Sequence, residues 1–81
     1  MKKIPSPCIS VCKLTRDGHC IGCAMTKTQK KMFKTLRKPD HQAAFVTLLR
    51  HQQTVLGRYR HWLPAYLRKC AKKNVKPPFA P

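Results

Sequence analysis

Between residues 26 and 73 apolar side chains recur at helical spacing, and outside that stretch they do not. The first periodic segment opens at Thr26, with Gln29 three positions on. That is the spacing of a capping box, in which each side chain bonds the other residue's backbone N–H. At 100° per residue, Lys27, Lys30, Lys31, Lys34 and Lys38 fall on one face, and Met32, Phe33 and Leu36 fall opposite. The pattern predicts a short helix over about 26–37, stopped where Pro39 disfavours helical geometry at the residue before it. Pro39 suits the first position of a second helix, and Asp40 sits where a negative charge meets the N-terminal dipole.

From there Ala44, Phe45, Leu48, Leu49, Gln52, Val55 and Leu56 form one broad stripe. The stripe keeps its phase past Gly57 through Tyr59, Leu63, Tyr66, Leu67 and Cys70. This predicts a long helical element over about 39–73, bent or broken within 57–64 by Gly57 and Pro64. Unbroken, about 35 residues would run roughly 50 Å, too long for the short helix to cover. Tyr59, Trp62 and Tyr66 fall in the half hardest to cover. Either the tail or a fold-back of the helix hides them or they form a protein-contact surface.

Residues 1–25 differ in kind, with four cysteines, two prolines and the turn signals "DG" and "IG". They predict loops and short knuckles, with any β-structure confined to them. Residues 74–81, "NVKPPFAP", hold three prolines and predict an irregular tail. The expected architecture is therefore mostly α and metal-stapled, with a four-cysteine metal-binding loop (1–25), a basic helical region (26–73) and a Pro-rich tail (74–81).

Charge sharpens the picture. Eighteen Lys+Arg stand against two acidic residues among 81, a net charge of +16. Such an excess opposes compaction and favours a polyanion as partner. "MKKIPSPC" lacks the apolar core of a signal peptide, and "AAFVTLL" is far short of the roughly 20 residues that span a bilayer. The expectation is a cytoplasmic protein without a membrane span.

In that reducing compartment clustered cysteines hold metal more often than they pair as disulfides. The spacing is Cys8-x3-Cys12-x7-Cys20-x2-Cys23. Two intervening residues let Cys20 and Cys23 reach one metal, Gly22 lets backbone amides turn toward the sulfurs, and "TRDG" (15–18) returns the chain to the site. Four thiolates suit Zn2+ or a 4Fe–4S cluster alike. Structural zinc contributes on the order of 10–16 kcal/mol to folding, enough to decide whether so small a core folds. His19, beside Cys20, is expected to face solvent or phosphate, and Cys70 on the apolar stripe reads as a small buried hydrophobe. No acid–base pair or nucleophile pattern is present, which argues against an enzyme.

The stretch "SPCISVCKL…DGHCIGCAMT" resembles the small YdhL-like family of uncharacterised bacterial proteins. Its pattern is Ser-Pro-Cys, a second Cys four on, then Cys-x-Gly-Cys. The resemblance covers about residues 6–48 and rests on the four cysteines with Pro7, Gly22 and Thr26. It implies a predicted iron–sulfur protein. Gln29 stands where the family usually has Glu, Phe33 where it has Trp, and residues 38–41 replace an acid-rich stretch. The lysine stripe is thus a departure toward a polyanion.

Taken together, these features predict a small zinc-binding protein that binds RNA, as a structural component of a ribosome or other ribonucleoprotein in contact with rRNA. Lys27, Lys30, Lys31, Lys34 and Lys38 would lie along phosphates, and Arg58, Arg60, Arg68, Lys69, Lys72 and Lys73 would extend the contact. Trp62 or Tyr66 would stack on a splayed base. The alternative is an iron–sulfur electron carrier or accessory subunit of a larger complex. A DNA-binding regulator ranks lower, since nothing reads as a helix-turn-helix.

Overall fold

A computed structural model describes residues 3–9, 11 and 13–78. Among them are three helices: α1 (Lys27–Thr35), α2 (Pro39–Leu56) and α3 (Trp62–Lys72). The first helix begins as its sequence demands. Thr26 Oγ1 accepts from Gln29 N (3.1 Å) and Gln29 Oε1 accepts from Thr26 N (2.9 Å). It closes at Leu36, so Lys38 lies beyond it, as the N-cap of α2. Pro39 occupies the first turn of α2 together with Asp40.

The long element is two helices. Gly57 adopts φ 77°, a left-handed C-cap whose N–H bonds Gln53 O at 2.9 Å. A residue with a Cβ pays a steric penalty in that conformation. Pro64 then falls in the first turn of α3, where its missing N–H leaves no helical bond unmade. The break lets α3 return over the N-terminal segment, and the molecule measures 37 Å in its longest direction. The third helix ends on Asn74 at φ 54°, with Asn74 N donating to Ala71 O (3.2 Å) and Val75 N to Cys70 O (3.0 Å). These are the two bonds of a Schellman cap. The described part of the tail, 74–78, contains no helix.

The core joins the cysteine segment to the helices. Cys20, Cys23, Ala24 and Met25 pack with Phe33 of α1, Val46 and Leu49 of α2, and Trp62, Tyr66 and Cys70 of α3. Burial of Cys70 agrees with its reading as a small hydrophobe.

The buried stripe of α2 is not the expected one. It is Gln42, Val46, Leu49 and Gln53, rotated by roughly a quarter turn from the apolar stripe. Leu48 (71 % exposed) and Val55 (73 %) consequently face solvent, and so does Met32 of α1 (49 %). Two glutamines take core positions because the core includes a segment without regular secondary structure, whose backbone needs partners.

Candidate functional site

The cysteine segment forms a hairpin-like loop closed by one isolated antiparallel bridge, Leu14–Cys20. The turn at Thr15–Gly18 is fixed by Gly18 N to Thr15 O (3.0 Å) and Thr15 N to His19 O (2.8 Å), with Gly18 at φ 82°. Beyond it, Cys20–Met25 make a tight knuckle. Ala24 N donates to Cys20 O and Cys20 N to Met25 O, each at 2.9 Å. Ala24 is held at φ 72°, a left-handed conformation that costs a non-glycine residue about 1–2 kcal/mol. Gly22 is required by close approach: a Cβ there would lie 2.6 Å from Val11 O and 3.1 Å from Val11 Cβ. Gly22 thus packs against Val11 of the facing arm.

Within the knuckle Gly22 N–H points at Cys20 Sγ (3.4 Å), and as a thiol Cys20 donates to Val11 O (3.1 Å). Burial of the Cys20 sulfur opposes ionisation. The backbone N–H groups of Gly22, Cys23 and Lys13 and the Cys23 thiol nevertheless hold it below the ordinary thiol value. Burial pushes Cys23 the other way, up to about 12, with the neighbouring Cys20 and Cys8 thiolates adding to the rise. Cys8, Cys20 and Cys23 therefore share one electrostatic environment.

The Cys20–Cys23 pair has an amide aimed at sulfur, which favours the thiolate that binds soft metals. Among the described residues, however, no three His, Cys, Asp or Glu side chains are arranged to hold a metal ion. Cys12 lies outside the described residues. The donor chemistry of Cys8, Cys20 and Cys23 suits Zn2+ or an iron–sulfur cluster alike.

The helices and the connection between α2 and α3 act on this loop in a way that hydropathy does not reveal: they cap its carbonyls. On the knuckle, Tyr59 Oη donates to Cys20 O (2.9 Å), His61 Nε2 to Gly22 O (3.2 Å), Gln53 Nε2 to Cys23 O (2.9 Å), and Gln52 Nε2 to Ala24 O (2.8 Å). On the N-terminal arm, Tyr66 Oη donates to Pro5 O (2.8 Å) and Trp62 Nε1 to Pro7 O (2.8 Å). Lys69 Nζ reaches both Ser6 O (2.9 Å) and Cys8 O (2.7 Å). Gln42 works in both directions, accepting from Ile4 N and donating to Leu36 O. Trp62 and Tyr66 also stack, with ring centroids 4.7 Å apart and planes at 13°.

Several expectations change accordingly. Trp62 and Tyr66 are both fully buried, so neither is available to stack on a base. Tyr59 is half-buried on the knuckle, and the N-terminal arm lies against Trp62 and Tyr66, bonding them through Pro7 O and Pro5 O, so these two rings are not exposed for a protein contact. Lys69 is half-buried with its ammonium on two arm carbonyls, which removes it from the phosphate-facing set. Burial lowers its pKa, opposed by the nearby cysteines. His19 does not face solvent alone: its Nδ1 lies 2.8 Å from Ala24 O and 3.3 Å from Gln52 Nε2.

The remaining cations of the predicted set lie at the surface to different degrees. Lys27, Lys31, Lys34, Lys38, Arg58, Arg60, Arg68, Lys72 and Lys73 are exposed and Lys30 is half-buried. The clamp left two signals in the sequence. Gln42 and Gln53 share a helix face with Val46 and Leu49, and every aromatic ring of "YRHWLPAY" carries a polar group that needs a partner once buried.

Fold and site thus define a small, mostly helical, cysteine-rich protein whose cysteine knuckle is held by side chains of α2 and of the α2–α3 connection. Residues 6–53 match the family model described as Protein of unknown function (DUF1289), and the chain belongs to that family. No curated protein and no solved structure matches the chain significantly.

Proposed function

We propose that this is a metal-stapled RNA-binding protein, a structural component of a ribosome or other ribonucleoprotein, working in the reducing cytoplasm. Cys8, Cys12, Cys20 and Cys23 would hold Zn2+, whose chemistry here is structural: it ties the loop to itself where no regular secondary structure can. The observation that carries the RNA reading is the lysine face of α1. Lys27, Lys31 and Lys34 point outward from one helix, Lys38 follows, and the chain's two acids, Asp17 and Asp40, both lie off that helix. A row of solvent-facing ammoniums at helical spacing suits a phosphate backbone, and such contacts position without reading sequence.

The second reading is a YdhL-like iron–sulfur protein acting as electron carrier or accessory subunit. It is favoured by the same soft donor pair, since Cys20 and Cys23 would serve a cluster as well as zinc.

Fluorescence anisotropy with single-stranded and hairpin RNA tests the proposal. Lys31→Glu, Lys34→Glu and Lys38→Glu together should abolish binding while metal content and helical circular dichroism stay as in the parent. No affinity of the parent protein for either RNA, with tight binding to an acidic protein instead, would overturn the RNA reading. A brown preparation absorbing near about 400 nm would favour the cluster over zinc.

A further inference from the structure

A cavity of about 700 Å³ opens between the N-terminal arm, α1 and the end of α3. This is within the range of small-molecule sites. Its walls are apolar, formed by Ile4, Pro5, Met25, Phe33, Leu36 and Val75. Four lysines line the same space: Lys3 from the arm, Lys30 and Lys34 from α1, and Lys73 from the C-cap of α3. No acidic side chain among the described residues lines it.

We propose that this cavity binds a small amphipathic anion with a hydrocarbon body, of the single-chain carboxylate class. The apolar walls would take the chain, and the lysine ammoniums, on stems that themselves extend those walls, would meet the head group. The polar groups inside the cavity argue against a nucleobase as occupant. Gln42 is used at both ends, accepting from Ile4 N (3.0 Å) and donating to Leu36 O (2.9 Å), and Ser6 Oγ accepts from Cys8 N (3.3 Å). Apart from the lysine ammoniums and the Cys8 thiol, they leave little with which to bond a base edge, whereas an aliphatic chain needs only a charge at its head. Lysines from three separate segments converge on the space, so the site depends on the fold and is more than one basic helix.

A highly cationic protein attracts any anion, so the test must localise the ligand. Octanoate is titrated into the full-length protein and followed by two-dimensional NMR, with octan-1-ol (no charge) and acetate (no chain) as partial probes. Saturable shifts are expected at Ile4, Leu36 and Val75, with Leu48 and Val55, exposed on α2, unmoved. Both partial probes should bind at least about tenfold more weakly. Lys34→Gln with Lys73→Gln should weaken octanoate about tenfold, two surface ion contacts being worth roughly that factor. Arg58→Gln with Arg68→Gln, an equal change in net charge on exposed side chains, should leave it unaltered. Shifts spread equally to Leu48 and Val55, equal weakening by both double variants, or octanol binding as tightly as octanoate would overturn the proposal. The probe comparison stands on the parent protein, whatever the folding of the variants.

Discussion

Replacing Tyr66 by Phe removes one oxygen from the centre of the clamp. The tyrosine hydroxyl donates to Pro5 O at 2.8 Å, and both residues are buried. The ring keeps its stack on Trp62, 4.7 Å away, so packing is conserved and the change removes only the hydroxyl's polar contacts, to Pro5 O and to the Cys70 side chain. Pro5 is itself buried, so its carbonyl loses a partner inside the fold. Leaving a buried carbonyl unsatisfied costs about 1–3 kcal/mol, against about 1 kcal/mol for a hydrogen bond that water replaces. A loss of about 2 kcal/mol lowers Tm by roughly 8–16 °C in a domain of this length. Thermal unfolding followed by far-UV circular dichroism measures it, with Lys34→Gln on the exposed face of α1 as a control expected to change stability by less than about 0.5 kcal/mol. A Tyr66→Phe protein within about 0.5 kcal/mol of the parent would refute the reasoning, since the arm would then not depend on α3 for its backbone partners.

Three further outcomes follow from the same geometry. Gly22→Ala places a methyl 2.6 Å from Val11 O and should cost about 1–3 kcal/mol and reduce zinc uptake, whereas Gly57→Ala, with φ 77° but open space, should cost about 1 kcal/mol and leave uptake intact; urea denaturation and elemental analysis read the two effects. Zinc binding to metal-free protein should strengthen as pH rises and release protons near neutrality, because Cys23, pushed up to about 12, must give up its proton, while Cys20, held low, contributes less; calorimetry in buffers of different ionisation enthalpy counts them, and pH-independent affinity would contradict the assignment. Burial raises both Tyr59 and Tyr66 above the ordinary value of 10.0, so their contribution to stability is complete below about pH 10 and is lost as pH climbs further, where the unfolded chain ionises first; denaturation midpoints measured across that range should fall.

The local signals in the sequence are reliable where a helix obeys its own termini. Thr26 with Gln29, Pro39 with Asp40, and the turn around Gly18 all form as their spacing requires, because each is settled by bonds within a few residues. The phase of α2 is not legible from apolar positions. Its buried face is chosen by Gln42 and Gln53, which bond backbone 38 and 30 positions away, and hydropathy treats those amides as surface. Continuity of the stripe across Gly57 suggests one long element, yet the left-handed cap at Gly57 and the tolerance of Pro64 in a first turn both permit the reversal that the clamp needs. The aromatics stand out in the sequence by their rings, but their polar ends decide their role. Tyr59, Trp62 and Tyr66 each spend a donor on a carbonyl of the cysteine segment, and burial follows. Lys69 shows the same limit, since a cation in a basic helix gives no sign that it bonds two carbonyls beside Cys8.

The RNA reading rests on exposed lysines meeting phosphates, and the salt dependence of binding tests that most directly. Four contacts, from Lys27, Lys31, Lys34 and Lys38, would each release about 0.7 counterion from a single strand. The logarithm of the association constant, plotted against the logarithm of salt concentration, should then fall with a slope of about −3 or steeper. In the Lys31→Glu, Lys34→Glu, Lys38→Glu protein any residual slope should approach zero. A parent slope shallower than about −1, or one the three reversals leave unchanged, would show that the lysine face does not hold the nucleic acid.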